Sequence, residues 1–245
     1  MTSHRLLVVQ HEAGCPPAWF GPWLEAAGCD LDVLRGDLGQ PIPDTLAGYA
    51  GLMVLGGEMG AYDDVDHPWL TPTKELIATV VSADQPFLGI CLGHQLAAVA
   101  MGGEVTRNPN GPATGLTPVT LTDAGRTDPL LNVVVDRAAT IQWNNDIVAR
   151  LPAGAVLLAV APDGTVQAAR FGARAWGVQF HPEASPAVVR DWTVGRPAAT
   201  ELESQGIDVT AARAAIEGAE EQLFADWQPL AHRFGRLVTE SSTVP

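Results

Sequence analysis

Positive charge is scarce in this chain: 14 Lys and Arg stand against 28 Asp and Glu in 245 residues, a formal net charge of −14. Such a balance repels phosphate backbones and anionic bilayers, so no nucleic acid and no membrane partner is expected. Cysteine is sparse as well. Cys15, Cys29 and Cys91 form an odd set at irregular spacing with no Cys-x-x-Cys pair, which argues against a disulfide framework and against zinc or redox motifs. A reducing, cytoplasmic location is the expectation. Long apolar runs are missing: the longest, around Ala153–Ala161, falls short of the roughly 20 residues that cross a bilayer. Met1-Thr2-Ser3-His4-Arg5 leads straight into a strand-like segment without a signal-peptide core. No Gly-x-x-x-x-Gly-Lys-Ser/Thr phosphate cradle occurs. Repeats, low-complexity tracts and linkers are also lacking, so one domain over residues 1–245 is expected.

What is present is enough apolar chain to bury a substantial core, with 47% hydrophobic residues. Leu6–Val9, Leu31–Leu34, Leu52–Leu55 and Phe87–Ile90 read as strands bounded by Gly, Pro or Asp. Between them Pro16–Ala27 and Thr71–Ala83 have the spacing of surface helices, and Leu92–Met101 that of a buried one. Apolar strands alternating with helices indicate an α/β fold, a doubly wound and mostly parallel sheet with sites at the carboxyl ends of its strands. Further on, Pro118–Leu121, Val133–Val135, Ala155–Val160, Val166–Arg170 and Trp176–Phe180 are strand-like and joined by turns, which reads as antiparallel additions. After Pro186 the pattern is helical. Ala211–Leu223 and Gln228–Val238 are expected as capping helices joined through Asp226-Trp227, within a C-terminal extension over 195–245.

Three strand ends carry candidate chemistry. Gly89-Ile90-Cys91-Leu92-Gly93-His94-Gln95 lies between a strand and a helix, and a Gly-x-nucleophile-x-Gly turn holds its central residue in a strained, exposed position. The helix N-terminus beyond it favours a thiolate, and the next backbone N–H is available to an oxyanion. Gly177-Val178-Gln179-Phe180-His181-Pro182-Glu183 offers a base and, across a stiff proline, a carboxylate to orient it. Gly56-Gly57-Glu58-Met59-Gly60 lets backbone approach a ligand closely. Each is weak alone: a free cysteine is more often a packing residue, a His after a strand a surface residue, and a Gly-Gly pair a tight turn. Together at three strand ends they reinforce one another.

Gly-Ile-Cys-Leu-Gly-His-Gln followed by Gly-Val-Gln-Phe-His-Pro-Glu resembles the class I (triad) glutamine amidotransferases, in particular stand-alone proteins similar to the glutaminase domain of GMP synthase. The resemblance runs from about Leu6 to Trp192. It implies a flavodoxin-like sheet, Cys91 as nucleophile, His181 as base and Glu183 as its orienter. It also implies an oxyanion hole from the backbone N–H groups of Gly57 and Leu92, and a substrate contact from Gln95. No metal or organic cofactor is implied for release of ammonia from glutamine. Two departures stand out. Glu58 replaces the proline of the usual Gly-Gly-Pro, so a more mobile oxyanion turn is expected. The family's Trp-His-Gly-Asp-like pocket loop, against the amino-acid end of the substrate, here reads Trp143-Asn144-Asn145-Asp146. It makes Trp143, Asn145 and Asp146 further substrate-binding candidates and an altered substrate preference the expectation. Several functions stay open. The small-molecule substrate is glutamine, with the ammonia hydrolytically released or passed to a separate synthetase chain, or it is a γ-glutamyl compound cleaved as by a γ-glutamyl peptidase. A non-catalytic regulator or a chaperone-type protease of the same architecture is less in keeping with an intact triad and a distant histidine.

Overall fold

In the computed structural model, which describes residues 4–194 and 197–240, the first half of the chain alternates strand and helix. β1 (His4–Gln10), α1 (Phe20–Ala26), β2 (Cys29–Arg35), β3 (Gly51–Val54), α2 (Leu70–Ser82), β4 (Phe87–Ile90) and α3 (Leu92–Ala100) follow in order. Short strands then dominate: β5 (Glu104–Arg107), β6 (Ala113–Pro118), β7 (Thr120–Leu121), the single turn α4 (Asp123–Arg126), β8 (Ala139–Asn144), β9 (Asp146–Arg150), β10 (Val156–Val160), β11 (Val166–Gly172) and β12 (Ala175–Val178). The chain continues as α5 (Pro186–Thr193), α6 (Pro197–Ser204), α7 (Val209–Gly218) and α8 (Glu220–Glu240).

The main sheet has eight strands in the order β2-β1-β3-β4-β12-β11-β10-β7. Strands from β2 to β12 pair in parallel, and β12, β11, β10 and β7 continue antiparallel. The expected doubly wound, mostly parallel sheet with antiparallel additions is therefore the fold. Alternation along β1 shows why both faces need cover: Leu6 and Val8 enter one core with Trp23, Phe234 and Val238, while Leu7 and Val9 enter the other with Leu76, Ile77 and Leu96.

Several elements differ from the sequence pattern. The helix expected from Pro16 starts only at Phe20, because Ala18 takes a positive φ of 41° just before it. Val133–Val135 forms no strand; Asp128 Oδ1 accepts the N–H groups of Leu130 and Leu131 at 2.8 and 3.2 Å and winds Leu131–Val133 into a 3₁₀ turn. Pro118–Leu121 is divided between β6, paired with β8, and β7, paired with β10. The pairs β5–β9 and β6–β8 form separate ribbons. The C-terminal break falls at Ala219 and not at Asp226-Trp227, where α8 runs straight through despite Pro229. An interior proline costs about 3 kcal/mol. Burial of Trp227 offsets it: the indole donates to the Ala139 carbonyl at 3.0 Å and packs 4.8 Å from the Phe180 ring. Of the expected extension over 195–245, residues 195–196 and 241–245 lie outside the described residues.

Candidate active site

Three turns meet at the carboxyl edge of the parallel strands, and the sharpest follows β4. Cys91 has φ 49° and ψ −104°, a backbone state costly for any residue but glycine. Its glycine neighbours permit the turn. A Cβ on Gly89 would sit 2.5 Å from the Gly93 carbonyl oxygen, and one on Gly93 only 2.1 Å from the Val54 oxygen. The Cys91 N–H donates to the Val178 carbonyl at 2.8 Å and the Gly93 N–H to that of Leu55 at 3.1 Å, pinning the turn between β12 and the end of β3. His94 stays behind this turn, fully buried beside Gly177 and Phe171, and burial pushes its pKa down to about 3.

After β12 the chain places His181 and Glu183. The His181 N–H donates to the Ile141 carbonyl at 2.9 Å, and the Glu183 carbonyl accepts the Trp19 N–H at 3.0 Å. His181 Nδ1 lies 2.8 Å from Glu183 Oε1, with each side chain 3% exposed. Burial works to lower the His181 pKa. The charges of Glu183 and Cys91, with hydrogen bonds to both side chains, outweigh it and raise the value to about 10. Trp192 stacks 4.8 Å from the imidazole and is anchored by its indole N–H on the Gly14 carbonyl at 2.7 Å. Gln179, next to the His-Pro-Glu run, donates from Nε2 to Cys91 Sγ at 3.6 Å.

The Gly56-Gly57-Glu58 turn follows β3 and lies against both partners. A Cβ on Gly56 would come within 3.0 Å of His181 Cε1 and 3.6 Å of Cys91 Cβ. Gly57 has no more space, with Met59 Sδ at 2.5 Å and His11 Cβ and Leu92 Cδ2 at 3.1 Å from an added Cβ. Among the described residues, the N–H groups of Gly57 and Leu92 have no protein hydrogen-bond partner. The turn is less loose than the loss of proline suggests, because the Glu58 N–H donates to Glu12 Oε1 at 3.0 Å.

A cavity of about 700 Å³ opens over these turns, a size typical of small-molecule sites. Cys91, His181, Gly57, Gln95, Trp143, Asn145 and Asp146 all line it, whereas Glu183 sits behind His181 and Leu92 under the turn. Gln95 is less available than its position implies: its amide donates to the Asp146 carbonyl at 3.0 Å and to Gln179 Oε1 at 3.2 Å. Trp143-Asn144-Asn145-Asp146 is not a loop. β8 ends at Asn144 and β9 starts at Asp146, leaving Asn145 alone as the bend. Asn144 Nδ2 donates to the same Asp146 carbonyl at 3.0 Å, and the Asn145 carbonyl accepts the Asn108 N–H at 2.8 Å. Asn144 Oδ1 and Thr114 Oγ1, both on the cavity wall, are buried without a partner.

Sequence patterns did not single out Glu12, Cys15, Thr114, Trp192, or Glu201 and Leu202 from α6, all of which line the cavity. Glu12 and Cys15 follow the carboxyl end of β1, so the strand-end rule that flagged the other three turns could have found them. The rest had no local signal. Among the described residues, no three His, Cys, Asp or Glu side chains are grouped to hold a metal ion, and no helix is long and apolar enough to cross a membrane.

Comparison with known proteins agrees with this geometry. The glutamine-hydrolysing GMP synthase of Aeropyrum pernix is 37% identical over 146 residues, covering 60% of this chain and 26% of that protein. The chain thus spans about a quarter of that relative's length. Gamma-glutamyl peptidase 5 of Arabidopsis thaliana is 29% identical over 188 residues, covering 76% of this chain and 73% of the peptidase. A solved glutamine amidotransferase from Thermotoga maritima superposes with a TM-score of 0.84 at 26% identity, covering 96% of this chain and 99% of its own. The family model for glutamine amidotransferase class-I matches residues 23–191. The chain belongs to the class I glutamine amidotransferase family.

Proposed function

We propose that this chain hydrolyses the side-chain amide of glutamine through a thioester on Cys91. The observation that carries the proposal is the buried His181–Glu183 pair, 2.8 Å apart and hydrogen-bonded on to Cys91 in the cavity floor. With its pKa raised to about 10, His181 holds a proton at neutral pH. The Cys91 thiolate attacks the amide carbon, and the carbonyl oxygen becomes an oxyanion received by the Gly57 and Leu92 N–H groups. His181 gives its proton to the amide nitrogen, the C–N bond breaks and ammonia leaves. Water then attacks the γ-glutamyl thioester and yields its proton to His181. The C–S bond breaks, releasing glutamate and the thiolate. Glu183 keeps the imidazole oriented and offsets its charge. Gln95, Trp143, Asn145 and Asp146 form the substrate wall.

The whole chain acts, in this proposal, as one amidotransferase domain, with the helical extension over 195–245 closing one side of the cavity through Glu201 and Leu202. The matched quarter of the Aeropyrum GMP synthase leaves most of that protein without a counterpart here. A synthetase that consumes the ammonia would accordingly be a separate chain.

A second reading, γ-glutamyl amide or peptide hydrolysis, is favoured by a specific observation. The partnerless Asn144 Oδ1 and Thr114 Oγ1 suit the N–H groups of a substrate longer than glutamine, in a cavity of about 700 Å³. A panel of glutamine and γ-glutamyl amides separates the two, with ammonia, amine and glutamate all measured. Equal ammonia and glutamate from glutamine, abolished by Cys91→Ala, is the expected result. Release of amine only from the larger amides would select the second reading. No turnover of either would leave a binding role.

A further inference from the structure

Glycine pairs make flexible turns, and the peptide after Gly57 must be held if its N–H is to meet an oxyanion. A proline at position 58 would do this with its ring, by fixing φ and removing a donor. Glu58 brings both freedoms back, and its N–H needs a partner on the cavity side. That partner is a side chain from another strand end. Glu12, in the loop after β1, accepts the Glu58 N–H on Oε1 at 3.0 Å.

Glu12 is itself held on several sides. The same Oε1 accepts the Cys15 thiol at 3.2 Å. Its carbonyl accepts Gln10 Nε2 at 2.7 Å and the Cys15 N–H at 3.3 Å. The adjoining His11 packs its Cβ against Gly57 and takes a hydrogen bond from the Trp69 indole on Nδ1 at 3.1 Å. This bonding makes His11 Nδ1 an acceptor, and burial keeps the ring neutral by pushing its pKa down to about 4. The loop after β1 is thus a rigid bracket, and the Gly57–Glu58 peptide hangs from its carboxylate.

We propose that Glu12 is a positioning residue: its carboxylate, seated by Cys15, holds the Gly56-Gly57-Glu58 turn in the shape an oxyanion requires, in place of a proline ring. The proposal rests on the Gly57 and Leu92 oxyanion hole put forward above. It goes beyond that reading by adding a residue that touches neither substrate nor nucleophile. Because the tie needs an acceptor and not a charge, a neutral amide at position 12 should serve nearly as well.

The test uses the intact chain and two readouts. The first is hydrogen exchange of the Glu58 amide. Glu12→Ala should speed it at least tenfold, and Glu12→Gln should leave it within about threefold of wild type. The second is kcat and KM for whichever amide the wild type turns over. Loss of one oxyanion donor typically costs about 10²–10³ in kcat; a donor displaced but present should cost less, about 10- to 50-fold in kcat with KM changed by under threefold. Glu12→Gln should recover most of it. In a Glu58→Pro background, whatever its own rate, the further loss on Glu12→Ala should shrink below threefold. Alkylation of Cys91 by iodoacetamide, which forms no oxyanion, should proceed at the wild-type rate in Glu12→Ala. Unchanged Glu58 exchange overturns the proposal. So does an equal loss of kcat in the proline background, which would mean Glu12 acts on substrate or thiolate. A wild type with no turnover strikes the proposed function instead, and the exchange result still decides whether Glu12 holds the turn.

Discussion

The elbow around Cys91 and the wall built from β6, β8 and β9 face each other across one cavity, but they are held by different forces. At the elbow, backbone meets backbone: Gly89 and Gly93 stand where a single methyl would overlap carbonyl groups. On the wall, side-chain amides do the holding, with Gln95 and Asn144 both donating to the Asp146 carbonyl and Gln142 Nε2 donating to Gln167 Oε1 at 2.7 Å. Steric closure tolerates no substitution and leaves a short sequence signature. Hydrogen-bonded closure tolerates any residue with the right donors, so the wall is free to vary with the substrate while the chemistry beneath it is not.

Substitution of glycines should break this comparison most visibly. Gly93→Ala puts a Cβ 2.1 Å from the Val54 oxygen and should lose more than about 4 kcal/mol of stability or fail to fold. Gly111→Ala, on the loop before β6, meets no atom within 4 Å and should cost only about 1 kcal/mol for its φ of +90°. Urea unfolding of both variants measures the difference. Comparable losses would mean that the two regions are held alike.

Among residues of the chemistry, Cys91→Ala should abolish both turnover and labelling by diazo-oxo-norleucine. His181→Ala should lower kcat about 10³-fold or more, because it removes proton transfer in both half-reactions. Cys15 shares the cavity but lacks the elbow, and burial beside Glu12 pushes its thiol pKa well up. Cys15→Ser, which keeps a donor to Glu12, should stay labelled and active. Loss of labelling in that variant would move the nucleophile.

The buried histidine sharpens the contrast through pH. His181 has a folded pKa of about 10 against an ordinary 6.5, so its stabilisation is complete below 6.5 and lost as pH rises through about 10. The proton donor is lost over the same range, so kcat/KM should fall on the alkaline side near that value. In Glu183→Gln the leading favourable charge is gone, and the alkaline limb should move to lower pH with a rate loss smaller than that of His181→Ala. An unmoved limb would show that Glu183 does not set the His181 proton affinity. His11 and His94 have the opposite sign. Held at about 4 and about 3, they bind protons more readily when unfolded, so stability should decline as pH falls from 6.5 towards those values.

The smallest expected effect belongs to the wall. Asn144→His with Asn145→Gly removes the Asn144 tie to the Asp146 carbonyl and the partnerless Oδ1 beside it. One polar contact is worth about 1–3 kcal/mol, or roughly 5- to 150-fold. The ratio of kcat/KM for glutamine to that for larger γ-glutamyl amides should rise by at least the lower figure. A constant ratio would make the wall a scaffold only.

Local chemistry in the sequence was enough to determine the parallel strands β1, β3 and β4, the elbow and the His181–Glu183 pair, because each is written in consecutive residues whose spacing or lack of a Cβ has one backbone solution. Period-2 and period-3.6 apolar patterns fixed which segments face the core. Tertiary structure decided the rest. Residues 131–133 became a turn because Asp128 captured their N–H groups, and α8 ran through Pro229 because Trp227 found a slot against Phe180. The ribbons β5–β9 and β6–β8, the turn at Asn145 and the seat of Glu12 under Glu58 depend on partners brought from distant parts of the chain. A hydrogen bond between such residues has no period and no local motif, so it exists for the reader only once the fold has closed the distance.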